Sequence, residues 1–176
     1  LTRIRNELGV WGELRRLRVD PVFESGRSNG DAGIPVLLIP GFMSTAAGMS
    51  VMAGWLRRLG QNPVRANIGM NWACGEGTAD RLQRIVERTA NEAGRPIAIV
   101  GHSRGGQMAR VLAVRNPELV AAIVTLGMPP LERRAIHPLV QVPAAAVGLL
   151  GTARVPGLFS VGCFRGDCCR GFRADL

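Results

Sequence analysis

The sequence predicts an α/β domain built on a mainly parallel sheet, and three observations carry the prediction. Short apolar runs bounded by turn residues recur at Ile34–Ile39, Val64–Ile68, Ile97–Val100 and Val120–Leu126. Between them lie segments whose apolar residues fall at helical spacing. That alternation of periods is the mark of βαβ units, whose strands are covered on both faces and whose crossovers are right-handed. The length of 176 residues suits a single domain, and the apolar fraction of 47 % suits a globular one with a sizeable core.

In chain order, Ile4, Leu8, Trp11, Leu14 and Leu17 predict an amphipathic helix packed on the domain, with arginines opposite. The polar, glycine-rich stretch Glu24–Gly33 reads as a loop. The first strand ends at Pro40-Gly41. Met52, Trp55, Leu56 and Leu59 then predict a helix closed by Gly60. After the strand Val64–Ile68 comes a loop, Gly69–Gly77, and Thr78 reads as the cap of the next helix, with Asp80 in its first turn. Leu82, Ile85, Val86, Thr89 and Ala90 line one face of that helix, and Gly94 with Pro96 ends it. The strand Ile97–Val100 leads to a helix over Arg104–Arg115 whose Met108, Val111 and Leu112 face inward, then to the strand Val120–Leu126. Beyond Gly127-Met128-Pro129-Pro130 the pattern changes to an apolar helix, Pro138–Val155, and an irregular tail, Pro156–Leu176.

The net charge is +9, and every basic residue is Arg. The arginines are dispersed, and no aromatic residues interleave with them as a stacking platform needs, so a solvated surface is favoured over a nucleic-acid partner. No apolar run is long enough to span a membrane. Residue 1 is Leu, and the first nineteen residues lack a signal-peptide pattern. The compartment stays open, with the cytoplasm slightly favoured over export, and so does the oligomeric state. Cys74, Cys163, Cys168 and Cys169 do not match the usual zinc spacings. A disulfide between Cys74 and the later cluster, or within that cluster, and buried thiols are both open readings.

The chemistry lies in Gly101-His102-Ser103-Arg104-Gly105. The motif directly follows the strand Pro96–Val100 and directly precedes a helix, as a nucleophile elbow requires. Such a turn holds its serine in a strained backbone conformation and lifts the hydroxyl above the sheet edge. Side chains at 101 and 105 would collide with neighbouring elements, hence glycine at both. The helix N-terminus favours developing negative charge, and the Arg104 N–H supplies one oxyanion donor. Pro40-Gly41-Phe42 follows the earlier strand where the second donor belongs, which makes the Phe42 N–H the candidate. A phosphate-binding turn is the competing reading of Ser103, but it would want more glycines and a lysine. His102 points to neighbouring loops in this arrangement and is not the base.

These pieces together resemble the α/β-hydrolase superfamily, and within it the bacterial lipase and esterase branch. The matching stretches are Pro40-Gly41-Phe42, Asn71-Trp72-Ala73-Cys74-Gly75, Gly101-His102-Ser103-Arg104-Gly105-Gly106 and Thr125-Leu126-Gly127-Met128-Pro129. The resemblance covers about residues 34–130. It implies a three-layer α/β-hydrolase-like fold, a serine nucleophile at Ser103 and cleavage of a small-molecule or lipid carboxylic ester through an acyl-enzyme. It implies no metal and no organic cofactor. Residues 1–176 then form one partial domain, with Leu131–Leu176 placed where the family often carries a cap or lid.

The family order is nucleophile, acid, histidine. After Ser103 the acids are Glu118, Glu132, Asp167 and Asp175, and the later histidine is His137. No strand ending in Asp and followed by a histidine comes after Val120–Leu126. The expectation is therefore an incomplete hydrolase domain, with its last strands, triad acid and histidine beyond Leu176, and inactive as it stands. Two alternatives remain: a site using His137 with Asp167 or Asp175, and a non-catalytic hydrolase-like binding protein.

Overall fold

The computed structural model describes residues 9–24, 33–128, 138–165 and 169–176. In chain order these form α1 (Val10–Arg18), α2 (Pro21–Glu24), β1 (Pro35–Ile39), a 3₁₀ turn (Ala46–Met49), α3 (Ser50–Arg58), β2 (Asn62–Arg65), α4 (Gly75–Ala93), β3 (Ile97–His102), α5 (Arg104–Arg115), β4 (Val120–Leu126), α6 (Pro138–Thr152), α7 (Val161–Arg165) and α8 (Arg170–Ala174). The four strands of the described residues form one parallel sheet in the order β2-β1-β3-β4.

That order explains the three layers. The chain moves outward from β1 to β2, then returns past β1 to β3 and continues to β4. Right-handed crossovers running in opposite directions put their helices on opposite faces of the sheet. Accordingly Val36 and Leu38 of β1 pack with Ala53 and Leu56 of α3, while Leu37 and Ile39 pack with Leu82 and Val86 of α4 and Met108 and Leu112 of α5. All five residues of β1 are buried, as an apolar run covered on both faces requires. The reversal lies between β1 and β3, and their carboxyl ends lie side by side there. A doubly wound sheet opens its crevice at such a point.

The helix Arg104–Arg115 and the strand Val120–Leu126 stand where the sequence predicts them. Gly60 follows the end of α3 at φ 76°, and Gly94 closes α4 at φ 61°, both conformations that suit glycine.

Other expectations change. β2 runs over Asn62–Arg65 rather than Val64–Ile68, because Asn67 at φ 46° breaks the extended backbone before Ile68. Thr78 is not a cap: α4 begins at Gly75, Glu76 is the acid of its first turn, and the Thr78 hydroxyl donates back to the Cys74 carbonyl at 2.8 Å. Of the residues predicted to face the domain from the first helix, Leu14 is half-buried and Leu17 is exposed; nearby Phe23 stacks on Trp55 and under Arg58. Ile4 and Leu8 lie outside the described residues. α6 stops at Thr152, and the tail is not wholly irregular but holds α7 and α8. These short helices rest on tertiary contacts: buried Phe172 packs on Gly75, and the Phe172 N–H donates to the Glu76 carboxylate at 2.7 Å. Arg115 ties the same region by bonds of 2.7 Å to Glu76 and 2.6 Å to Asp175. No helix among the described residues is long and apolar enough to cross a membrane.

Candidate active site

Ser103 sits between the last residue of β3 and the first of α5, at φ 51° and ψ −118°. A residue with a Cβ reaches that conformation only under strain, and strain of this kind gathers at functional turns. The turn is held by the Ser103 N–H donating to the Leu126 carbonyl of β4 at 2.8 Å, and by the Gly106 N–H donating to the Ser103 carbonyl at 2.9 Å. The serine side chain makes no capping bond to α5.

Both flanking glycines are required by contact. A Cβ at Gly101 would lie 2.3 Å from the Gly105 carbonyl oxygen, and one at Gly105 would lie 2.2 Å from that of Ile39. The helix therefore starts directly against the ends of β3 and β1. Gly41 closes the arrangement from the other strand: a Cβ there would lie 2.9 Å from His102 Nδ1 and 3.3 Å from Ser103 Cβ. The Pro40-Gly41-Phe42 loop thus lies on the serine turn. Arg104, as first residue of α5, directs its backbone N–H out of the helix N-terminus. His102, exposed at the end of β3, has its ring beside Gly41.

Two side-chain roles important to this geometry were not read from the sequence, those of Asn71 and of the Arg104 guanidinium. Asn71 is 1 % exposed and donates from Nδ2 to the Pro40 carbonyl at 2.8 Å. It holds φ 49°, a conformation asparagine tolerates better than most residues. The Arg104 side chain turns back beneath the turn and donates to the carbonyls of Asn71 and Ala73, both at 2.6 Å. Burial lowers the Arg104 pKa to about 10, an effect partly offset by Cys163, Cys169 and Cys74, so the guanidinium stays charged at neutral pH. Its plane also lies over the Phe159 ring at 5.3 Å, and Phe159 meets Phe42 at 5.8 Å between ring centres. Only the loop sequence around Asn71 hinted at this part of the site.

The described acids after Ser103 lie elsewhere. Glu118 precedes β4, whose Val120 pairs with Ile97 at the opposite end of β3 from Ser103. Asp175 is bound to Arg115, the last residue of α5, whereas Ser103 adjoins the first. Glu132, His137 and Asp167 lie outside the described residues.

A family model described as "alpha/beta hydrolase fold" matches residues 68–149, a little under half of the chain. No curated protein sequence matches. Among solved structures, a candidate lipase of Acinetobacter baumannii aligns with a TM-score of 0.51 at 17 % identity, covering 84 % of this chain and 53 % of its own. The mature lipase BlEst2 of Bacillus licheniformis aligns at 0.48 and 15 %, covering 58 % and 43 %, and a monoacylglycerol lipase of Paleococcus ferrophilus at 0.48 and 15 %, covering 68 % and 50 %. The chain spans about half the length of these structures or less. With the parallel sheet, the reversal between β1 and β3 and the serine turn at that point, the family-model match and the Acinetobacter alignment establish that this chain has the alpha/beta hydrolase fold.

Proposed function

We propose that this chain is the nucleophile-bearing part of a serine hydrolase of the esterase or lipase type, acting on carboxylic esters. The observation that supports the reading best is the strained backbone of Ser103 at the carboxyl end of β3, with the Gly41 loop against it. Ser103 Oγ attacks the ester carbonyl while its proton passes to a base. The oxyanion of the tetrahedral intermediate accepts hydrogen bonds from the Phe42 and Arg104 N–H groups. Collapse expels the alcohol, which takes up the proton, and leaves an acyl-enzyme. Water then adds to the acyl carbon and releases the acid.

The reaction also needs a base and a group to orient it. The chain has His102 and His137; the first adjoins the nucleophile in sequence, and the second lies outside the described residues. The test is labelling with a fluorophosphonate probe, run on the 176-residue chain and on the full product of its coding sequence. Labelling of the full product that disappears in Ser103→Ala supports the reading. A folded full product that does not label favours a binding protein instead. Turnover of p-nitrophenyl esters by the 176-residue chain, abolished by Ser103→Ala, would put the base within these residues.

A further inference from the structure

Three cysteines far apart in sequence converge beneath the serine turn. Cys74 precedes α4, Cys163 lies in α7 and Cys169 precedes α8, and their sulfurs all lie within 4.8 Å of one another. Cys169 is buried and the other two are half-buried. Cys74 Sγ and Cys169 Sγ are 3.2 Å apart, well beyond the roughly 2.05 Å of a disulfide bond. Thiolates about 2.3 Å from a tetrahedral zinc ion stand roughly 3.8 Å from each other, a spacing these sulfurs reach when their separations change by about an ångström or less. From this convergence we propose that Cys74, Cys163 and Cys169 form a binding site for zinc(II), which fastens the α7–α8 tail to the loop beneath the nucleophile.

The chemistry and charge of the pocket fit a thiophilic cation. Soft thiolate donors select zinc over the hard cations that prefer oxygen. Binding converts three thiols to thiolates and releases three protons. Three thiolates and zinc(II) together carry one negative charge, and the buried Arg104 guanidinium, which interacts electrostatically with all three cysteines, carries one positive charge. The site would therefore be close to neutral as a whole, which lowers the cost of burying it. Three protein ligands leave the fourth tetrahedral position for water. The ion would act structurally: the loop that carries Cys74 also supplies the two carbonyls that hold Arg104. The spacing of the cysteines along the chain gave no sign of this, because the ligands come together only when the tail docks on α4.

The chain is purified under reductant, stripped with a chelator and titrated with zinc(II) against a chromophoric competitor, then with cobalt(II). The expected result is one zinc(II) per chain and a thiolate-to-cobalt charge-transfer band with tetrahedral d–d absorption. Cys74→Ser and Cys169→Ser should each weaken binding by more than the roughly 10–100-fold that follows loss of an outer hydrogen-bond partner. Circular dichroism establishes whether each variant is folded. The titration of the unaltered chain decides the question even where a variant is not. Reduced, folded chain that takes up no zinc(II) overturns the proposal. So does a folded Cys74→Ser or Cys169→Ser variant that keeps full affinity, or a Cys74–Cys169 disulfide found in the chain as isolated from cells in place of metal.

Discussion

Replacing Ser103 separates the strain of its backbone from the chemistry of its side chain. At φ 51° and ψ −118° any Cβ is disfavoured, so Ser103→Ala keeps the strain and removes only the hydroxyl, which caps nothing. Ser103→Gly removes both. Strain at such a position amounts to about 1–3 kcal/mol. The greater freedom of glycine in the unfolded chain returns about 0.5–1 kcal/mol of it. Ser103→Gly should therefore be more stable than Ser103→Ala by about 1 kcal/mol. That corresponds to a melting midpoint about 2–4 °C higher for a domain of this size. In urea, with a slope near 2 kcal/mol/M, it is a midpoint shift of about 0.5 M. Paired urea titrations of the two variants measure the difference, and fluorophosphonate labelling should be absent from both. If the glycine variant is equal to or less stable than the alanine variant, residue 103 is not strained and the elbow argument fails.

Three further substitutions probe the supports of the turn. Gly105→Ala drives a Cβ to within 2.2 Å of the Ile39 carbonyl oxygen, so backbone must move; it should cost about 1–3 kcal/mol and slow labelling at Ser103, whereas Gly77→Ala, with nothing within 4 Å, should not destabilise the fold. Arg104→Met removes both 2.6 Å bonds to the Asn71 and Ala73 carbonyls but keeps the backbone N–H; we expect a loss of about 2 kcal/mol in denaturant titrations, with labelling of the full product slowed rather than abolished. Arg115→Met leaves Glu76 and Asp175 without their shared cation; those carboxylates are partly open to water, so the cost should be about 1–2 kcal/mol, and amide exchange should quicken in residues 169–176 while β1 and β3 stay protected.

Strands β1, β3 and β4 and the helix after Ser103 were legible because their signals are local. A run such as Ile97–Val100 between turn residues, or Met108, Val111 and Leu112 on one face, states its own burial. The serine turn was legible for the same reason, since its glycines, strand and helix are contiguous. Thr78 misled because a Thr with an acid two residues on resembles a cap, while the loop before it was already helical from Gly75. The docking of Phe172 on Gly75 and the meeting of Cys74 with Cys163 and Cys169 span about ninety residues or more, and no local period records them. Asn71 is the instructive intermediate case. Its loop drew notice as part of a resemblance, but its role follows from a buried hydrogen bond to Pro40.

That bond shows how the turn is held from more than one side. The reversal of the sheet at β1 and β3 brings the Gly41 loop to Ser103. The return crossover from β2 brings residues 71–74 under the same point, where Asn71 holds the Pro40 carbonyl and receives Arg104 through its own. The two candidate oxyanion donors, Phe42 and Arg104, belong to segments that touch directly at Gly41 and Gly105 and are joined a second time through one buried residue. An oxyanion hole depends on the distance between its donors, and Asn71 adds a buried hydrogen bond to the contacts that hold these two segments together. Substituting Asn71 should thus disturb the reactivity of Ser103 more than its burial alone would suggest. Asn71→Ala should cost about 1–3 kcal/mol, because the Pro40 carbonyl loses its donor. Labelling of the full product should fall at probe concentrations and temperatures where the variant is still fully folded. Unchanged labelling in a folded Asn71→Ala variant would mean that the loop after β1 holds its position without this bond, and that the spacing of the donors is fixed by the strands alone.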